Sequence, residues 1–578
     1  MRLEDAYKKY TLDLDKVVPP AETVRRFREK LKTLDLDILE ETVRIDNGRL
    51  GIPVYFSVCG KDAAAVIGTR KQMGKGGTPE QAEASAVMEL VERFSLYTFM
   101  AAPENFFTET YPNLKDHAIP FEAVARSVHD ESEDRDRALE VFSRLPLRWA
   151  RGHDLTRDEP VLVPFDWFFA INEFNGSSAG NCREEALLQG ICEVVERHVS
   201  SLVSRNRVSV PAIDLDSVRD PLAADLIRKY RVAGIRLFAS DFSLDTGIPT
   251  VAVLAYDPVT FPAESEIVWT AGTTPNPEKS LIRALTEVAQ LAGDFNTGGN
   301  YVASGLPKFT DLSAAAYVME PGRTVAIGTL PDLSHDNIRI ETEKCVRTLA
   351  GRGMPVFAVD VTHPRLGIPA IYTMVPGAHF RERAAGTGVG MFAAKLVAEA
   401  GDPAWAVREL TRMEKVLPGR YYIRFYLGQS HLALNDPSTA LACFEQALDM
   451  GPNREDIPGI YSYMAVALKE MERYRDAIAV LEKAEACDRD RTDIHNLMGF
   501  CYFKLKEHEK AIRCFRNVIR INPASAIDYA NIASNYRDMG DRDQAIRYYR
   551  LALELDPDID FARRNLQALD REPPRQAS

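Results

Sequence analysis

The sequence predicts an α+β domain followed by an all-α helical-repeat solenoid. Three observations carry this reading. Over roughly the first 380 residues, short runs rich in β-branched side chains alternate with long helical stretches. In the last third, alanines recur at Ala406, Ala440, Ala477, Ala511 and Ala545, with spacings of 34, 37, 34 and 34. The composition, 46% hydrophobic and 27% charged, is that of an ordinary globular chain, and 578 residues leave room for more than one core.

Segment 1–50, with charged helical character from Pro20 to Leu36, is read as an N-terminal arm of the α+β domain, which itself covers 51–378. The extended runs in that domain are Ile52–Val58, Leu162–Pro164, Ile248–Leu254, Val356–Val361 and Ala370–Val375. The helical stretches are Pro79–Met100, Arg183–Val203 and Pro277–Leu291. Asp130–Arg137 is almost entirely charged and reads as a solvated surface segment. The solenoid spans 387–571, and 572–578 reads as a flexible tail. Each repeat alanine is followed four residues later by a bulky side chain (Leu410, Phe444, Leu481, Phe515, Tyr549). Seven residues on stands a second small or apolar one (Met413, Ala447, Ala484, Val518, Ala552), and prolines close four units at Pro418, Pro452, Pro523 and Pro557. The single spacing of 37 implies a three-residue insertion near Pro458. Small residues let paired helices approach while bulky ones fill the groove, so each unit buries its apolar face only against its neighbours. This pattern resembles the tetratricopeptide repeat, which implies a concave surface for a protein or peptide partner; a purely structural or dimerising role is the alternative.

Seventy-one basic against 84 acidic side chains give a net charge of −13, which argues against direct, non-specific nucleic-acid binding. The eight cysteines form no C-x-x-C pair, so reduced thiols are expected and a structural zinc site is not. No run of 18 apolar residues and no signal-like N-terminal segment occurs. A cytoplasmic protein with no membrane association is the expectation.

Two helices of the first domain carry the same polar pattern. One reads Gln81, Ser85, Glu89, Glu92, Arg93; the other reads Glu185, Gln189, Glu193, Glu196, Arg197, each residue 104 positions further on. On an α-helix such offsets fall within a narrow arc of about 80°. The rest of each helix is largely apolar, so each stripe should face an internal cavity, where unpaired carboxylates are costly. Arg93 and Arg197 offset part of that charge, and a hard divalent ion such as Mg²⁺, which shares its sites with phosphates, is the remaining candidate. A solvated E-x-x-E-R face is the bland alternative. Arg283 and Glu287, four apart on the Pro277 helix, share a face and add a third element. The glycine-rich Gly74-Lys75-Gly76-Gly77-Thr78-Pro79 leads into a capping box with Thr78 as N-cap; its amides either hold an anion or simply start the helix. Gly176-Ser177-Ser178-Ala179-Gly180 matches G-x-S-x-G and proposes a hydrolase nucleophile at Ser178, but no acid–histidine pair follows it convincingly.

Taken together, G-K-G-x-T-x-x-x-A-x-x-S-A-x-x-E-x-x-E-R, N-x-x-x-E-A-x-x-x-G-x-x-E-x-x-E-R, the later R-x-x-x-E and the closing Val375-Pro376-Gly377 resemble the YcaO family over roughly residues 50 to 378. The resemblance implies an enzyme that uses ATP and Mg²⁺ to phosphorylate a backbone amide oxygen, giving azoline, amidine or thioamide products. It places Lys16, Ser85, Asn181, Gln189, Arg197, Arg283 and Glu287 on ATP and Glu89, Glu92, Glu185, Glu193 and Glu196 on Mg²⁺. No catalytic residue is assigned. The C-terminus, Glu572-Pro573-Pro574-Arg575-Gln576-Ala577-Ser578, lacks the alternating prolines of azoline-forming members. That departure points instead to thioamidation or to an accessory role in ribosomal-protein methylthiolation, with the repeats recruiting a protein partner and a homodimer left open. The alternative is a nucleotide-responsive interaction scaffold without catalysis.

Overall fold

The computed structural model describes residues 1–68, 71–130, 134–295, 306, 309, 311–380, 388–522 and 525–571. The chain forms two units: Met1–Glu133 with Phe142–Val389, and Asp134–Val141 with Gly390–Ser578. The tail 572–578 and residues 381–387 lie outside the described residues, as does Pro523.

Three sheets build the first unit. Leu39–Arg44, Val54–Cys59 and Lys71–Lys75 form an antiparallel three-stranded sheet. A five-stranded sheet runs in the order Val268–Thr273, Thr250–Tyr256, Arg236–Asp241, Ala212–Asp214, Thr324–Ala326, its last pair parallel. The third sheet runs Phe107–Glu109, Leu147–Asp154, Phe357–Asp360, Ala370–Met374, Ser177–Ala179, with Glu159–Pro164 also paired to Leu147–Asp154. The N-terminal arm is more integrated than a charged helix suggests. Its helix Pro20–Lys32 buries Val24 and Phe27, and Leu39–Arg44 joins the first sheet.

The three helices expected from the sequence are present as Pro79–Ala101, Arg183–Asn206 and Pro277–Ala292. Thr78 caps the first by accepting from the Gln81 N–H, and Asn276 caps the third by accepting from the Glu278 and Lys279 amides. Three glycines set each helix against a sheet at backbone contact. A Cβ on Gly74 would lie 2.0 Å from the Ala86 nitrogen, one on Gly190 2.8 Å from the Gly176 carbonyl oxygen, and one on Gly272 2.3 Å from the Ser280 carbonyl oxygen. Side chains at these points would push the helices off their sheets.

The second unit contains helix pairs from Val389–Glu399 to Arg542–Leu555, then Asp560–Arg571. All five repeat alanines and their bulky partners are buried. Gly428 and Gly499 leave the space that the rings of Phe444 and Phe515 occupy. The inserted residues fall in the connection 450–456, against four-residue connections at 417–420 and 488–491. The charged segment is not simply solvated where it is described: Arg135–Phe142 is a helix with Ala138 and Val141 buried, and Asp134 pairs with Arg420 inside this unit. Amphipathic packing outweighs the charge of its exposed face. No helix among the described residues is long and apolar enough to cross a membrane.

Candidate active site

The two acidic helices and the Pro277 helix surround a cavity of about 270 Å³. Eleven of the twelve residues expected from the sequence line it: Lys16, Ser85, Glu89, Glu92, Asn181, Glu185, Gln189, Glu193, Arg197, Arg283 and Glu287. Glu196 is set behind the wall. Its Oε2 accepts from the Thr273 N–H at 3.2 Å and from Arg283 Nε at 3.2 Å, while its buried Oε1 has no hydrogen-bond partner.

Lys16 reaches the cavity because the arm is fastened there. Val17 N–H donates to Glu185 Oε1 at 2.6 Å, Lys16 Nζ lies 3.9 Å from Glu185 Oε2, and Thr23 Oγ1 donates to Asn181 Oδ1 at 2.9 Å. Asn181 in turn donates to Glu185 Oε2 through both its backbone and its side-chain nitrogen, at 2.9 and 3.0 Å. Both Glu185 oxygens are therefore engaged in holding the arm and the helix start together. With its amide oxygen facing Arg283, Gln189 accepts from both terminal guanidinium nitrogens at 2.9 and 3.1 Å.

Charge is unevenly shared around this cavity. Arg93 lies 3.8 Å from Glu89 and 3.4 Å from Glu92, yet burial still pushes both carboxyls up from their ordinary range, Glu92 well up, with Glu193 adding to the effect. Burial raises Glu196 as well. Around Glu287 the balance is reversed. Burial would raise it, but Lys75, Arg197 and Arg283 hold it down to about 2. Lys75 also acts on Glu89 and Arg283 on Glu92, but there burial outweighs them.

Sequence reasoning missed several wall residues, among them Met73, Met88 and Lys75. The glycine-rich segment begins in a strand, Lys71–Lys75, and the Gly77 N–H donates to Asp13 Oδ2 at 2.9 Å, so that amide is taken by a carboxylate of the N-terminal arm. Period-2 alternation within the strand was the available signal for Lys75. Ser178 is fully buried and donates to the Ala186 carbonyl, so G-x-S-x-G here is a packing motif with no exposed nucleophile.

A family profile described as YcaO cyclodehydratase, ATP- and Mg²⁺-binding, matches residues 73–379, more than half of the chain. The chain belongs to the YcaO family. Tetratricopeptide-repeat profiles match 393–455, 492–525 and 529–559. An uncharacterized protein of Methanothermobacter thermautotrophicus is 30% identical over 62% of this chain and 94% of its own length. The ribosomal protein S12 methylthiotransferase accessory factor YcaO of Escherichia coli is 28% identical over 47% of this chain, which spans about half, 48%, of that relative. A solved structure of a heterocyclase in complex with substrate and cofactor shares the fold at a TM-score of 0.53, with 23% identity over 68% of this chain and 56% of that one.

The residues present fit the cofactors of the family, ATP and Mg²⁺. Oxygen donors suit a hard divalent ion, and burial, which raises the Glu89 and Glu92 carboxyls on the cavity wall, leaves their charged forms in need of a cation beside them. Among the described residues, no three acidic, histidine or cysteine side chains converge tightly enough to cage a metal by themselves. Mg²⁺ does not require that, because it takes one or two carboxylates and completes its shell with water and phosphate oxygens.

Proposed function

We propose that this YcaO-family chain activates a peptide or protein backbone amide by Mg–ATP-dependent phosphorylation of the amide oxygen, for thioamidation or in support of ribosomal-protein methylthiolation. The observation that carries this is the single cavity lined by both acidic stripes together with Lys16, Arg197 and Arg283. When bound, Mg–ATP supplies the phosphoryl group that turns the amide oxygen into a leaving group once a nucleophile has added to the carbonyl carbon. The chain's own part is positioning and charge neutralisation, which suffice for phosphoryl transfer. Glu89, Glu92 and Glu193 on the wall would hold the metal, while Glu185 and Glu196 brace Asn181 and Arg283. Lys16, Ser85, Asn181, Gln189, Arg197, Arg283 and Glu287 would face the nucleotide.

The repeats would bring the amide-bearing partner. Their third, fourth and fifth first helices line a hollow of about 590 Å³ with Tyr463, Arg491, Asp493, Asn496 and Asp528, a polar surface suited to an extended peptide. The test is phosphate release measured with candidate ribosomal and co-purifying peptides, followed by mass analysis for oxygen-to-sulfur exchange. Release stimulated by one peptide supports the reading. Binding of partner and nucleotide with no stimulated release and no mass change would favour the non-catalytic scaffold.

A further inference from the structure

Arg93 brings a positive charge to the cavity wall, yet among the described residues its guanidinium forms no hydrogen bond. Its Nη2 lies 3.8 Å from Glu89 Oε1 and its Nη1 3.4 Å from Glu92 Oε1, both longer than the roughly 2.7–2.9 Å of a charge-assisted hydrogen bond. Nη1 is buried without a hydrogen-bond partner. Arg283 on the Pro277 helix behaves differently, donating to Glu196 Oε2 and to Gln189.

The chain holds the Arg93 guanidinium flat instead of pairing it. It lies over the Phe174 ring, 3.9 Å from its centre. Phe174 follows Glu173, whose backbone sits at φ 49° and ψ −123°, a conformation that residues with a side chain rarely adopt. The buried Tyr372 hydroxyl secures this turn by donating to the Glu173 carbonyl at 2.9 Å, and the Ser177 N–H donates to the Phe174 carbonyl at 3.0 Å. An aromatic ring occupies the face of a guanidinium and leaves its in-plane N–H groups available. A mere counter-ion needs no such platform, because closing onto the Glu89 and Glu92 oxygens would serve it better. Uncommitted donors on a buried cation call for an acceptor that arrives with a ligand.

On the Mg–ATP reading the arriving acceptors are phosphate oxygens and the amide oxygen. Phosphates are negative from the start, and that reading already gives them Arg197 and Arg283. The amide oxygen is neutral until a nucleophile's lone pair bonds to the carbonyl carbon and the C=O π pair moves onto oxygen. A preorganised cation with unspent donors stabilises such developing charge more than it stabilises the ground state. We propose that Arg93, held on Phe174, donates to the carbonyl oxygen of the substrate's backbone amide as that oxygen becomes negative. This rests on the Mg–ATP reading above.

The experiment is a ligand-observed NMR titration of the full chain, loaded with Mg²⁺ and a non-hydrolysable ATP analogue, with N-acetylglycine N-methylamide as a minimal backbone diamide. Wild type, Arg93→Lys and Phe174→Leu are compared. Arg93→Lys keeps the charge beside Glu89 and Glu92, which protects the fold, but loses the planar fork. Diamide affinity should fall about tenfold in Arg93→Lys and several-fold in Phe174→Leu, while affinity for the analogue changes by less than about threefold. An Arg93→Lys or Phe174→Leu protein that takes the diamide at full affinity would overturn the inference. So would equal weakening of diamide and analogue, which would make Arg93 a nucleotide or counter-ion residue. A wild type that binds the analogue but no diamide would overturn the inference and leave the Mg–ATP reading standing. A wild type that binds no analogue would overturn that reading itself.

Discussion

Replacing Gly74 by alanine tests whether the acidic helix is positioned by backbone contact with the sheet. The new Cβ would lie 2.0 Å from the Ala86 nitrogen, 2.3 Å from the Ala82 carbonyl oxygen and 2.6 Å from the Ala86 Cα. All three are backbone atoms, so no side chain can swing aside. To restore ordinary contact at 3.4 Å, the Pro79 helix and the strand must part by more than an ångström. Gly74 does not sit in the left-handed region, so the effect is steric rather than conformational. Overpacking of this kind costs about 1–3 kcal/mol, and rigid obstacles favour the upper end. A loss of that size lowers Tm by roughly 1–4 °C in a unit this large. The displaced helix carries Ser85, Glu89 and Glu92, so Mg–ATP affinity should fall as well. Gly322→Ala, where nothing lies within 4 Å, is the matched control in the same unit. Differential scanning fluorimetry with and without nucleotide reads both effects. A Gly74→Ala protein that melts and binds like the Gly322→Ala control would refute the packing argument.

Two further outcomes follow. His198 is pushed down to about 4 by burial and then by His129, and His379, stacked at 3.6 Å on His129, is pushed down to about 3 by burial and the neighbouring histidines. Both are neutral when folded but take protons near pH 6.5 when unfolded, so the unfolded state binds more protons as pH falls. Stability should therefore decline below about pH 6.5, by roughly 1.4 kcal/mol per pH unit for His198 until about pH 4, and less for the half-exposed His379. Urea titrations of the wild type and His198→Asn between pH 7 and 4.5 check this, and an unchanged slope in the variant would count against it. A chain ending after Phe380 should still bind Mg–ATP, since every nucleotide-site residue lies at or before Glu287, while losing modification of its macromolecular partner. A folded truncated chain that modifies that partner at the full-length rate would remove the recruiting role of the repeats.

Much of this architecture is visible in the sequence, for physical reasons. The repeat register is legible because Ala406, Ala440, Ala477, Ala511 and Ala545 must all be small at the same helix crossing, and each is buried there. The acidic stripes are legible because a helix with an apolar surround leaves a narrow polar arc only where a cavity needs it. Distance along the chain hides the remainder. Glu185 reads as one more acidic ligand until Val17 and Asn181 are seen to occupy its oxygens. Glu196 reads as a metal ligand, and only the structure shows its Oε2 engaged by the Thr273 amide and Arg283 behind the cavity wall. Lys75 is hidden by its glycines, whose flexibility suggests a loop although their lack of side chains serves close packing of a strand.

The central claim is that the two acidic helices form one Mg–ATP site. Its most direct test is Mg²⁺-dependent binding of a non-hydrolysable ATP analogue to the full chain, compared with Glu89→Gln and Glu193→Gln, which keep side-chain shape while removing one charge from each helix. The wild type should bind the analogue only with Mg²⁺, and both variants should lose most of that Mg²⁺ dependence, together with ATP turnover, while keeping the wild-type far-UV spectrum and melting transition. Normal Mg²⁺-dependent binding in both folded variants would contradict the account.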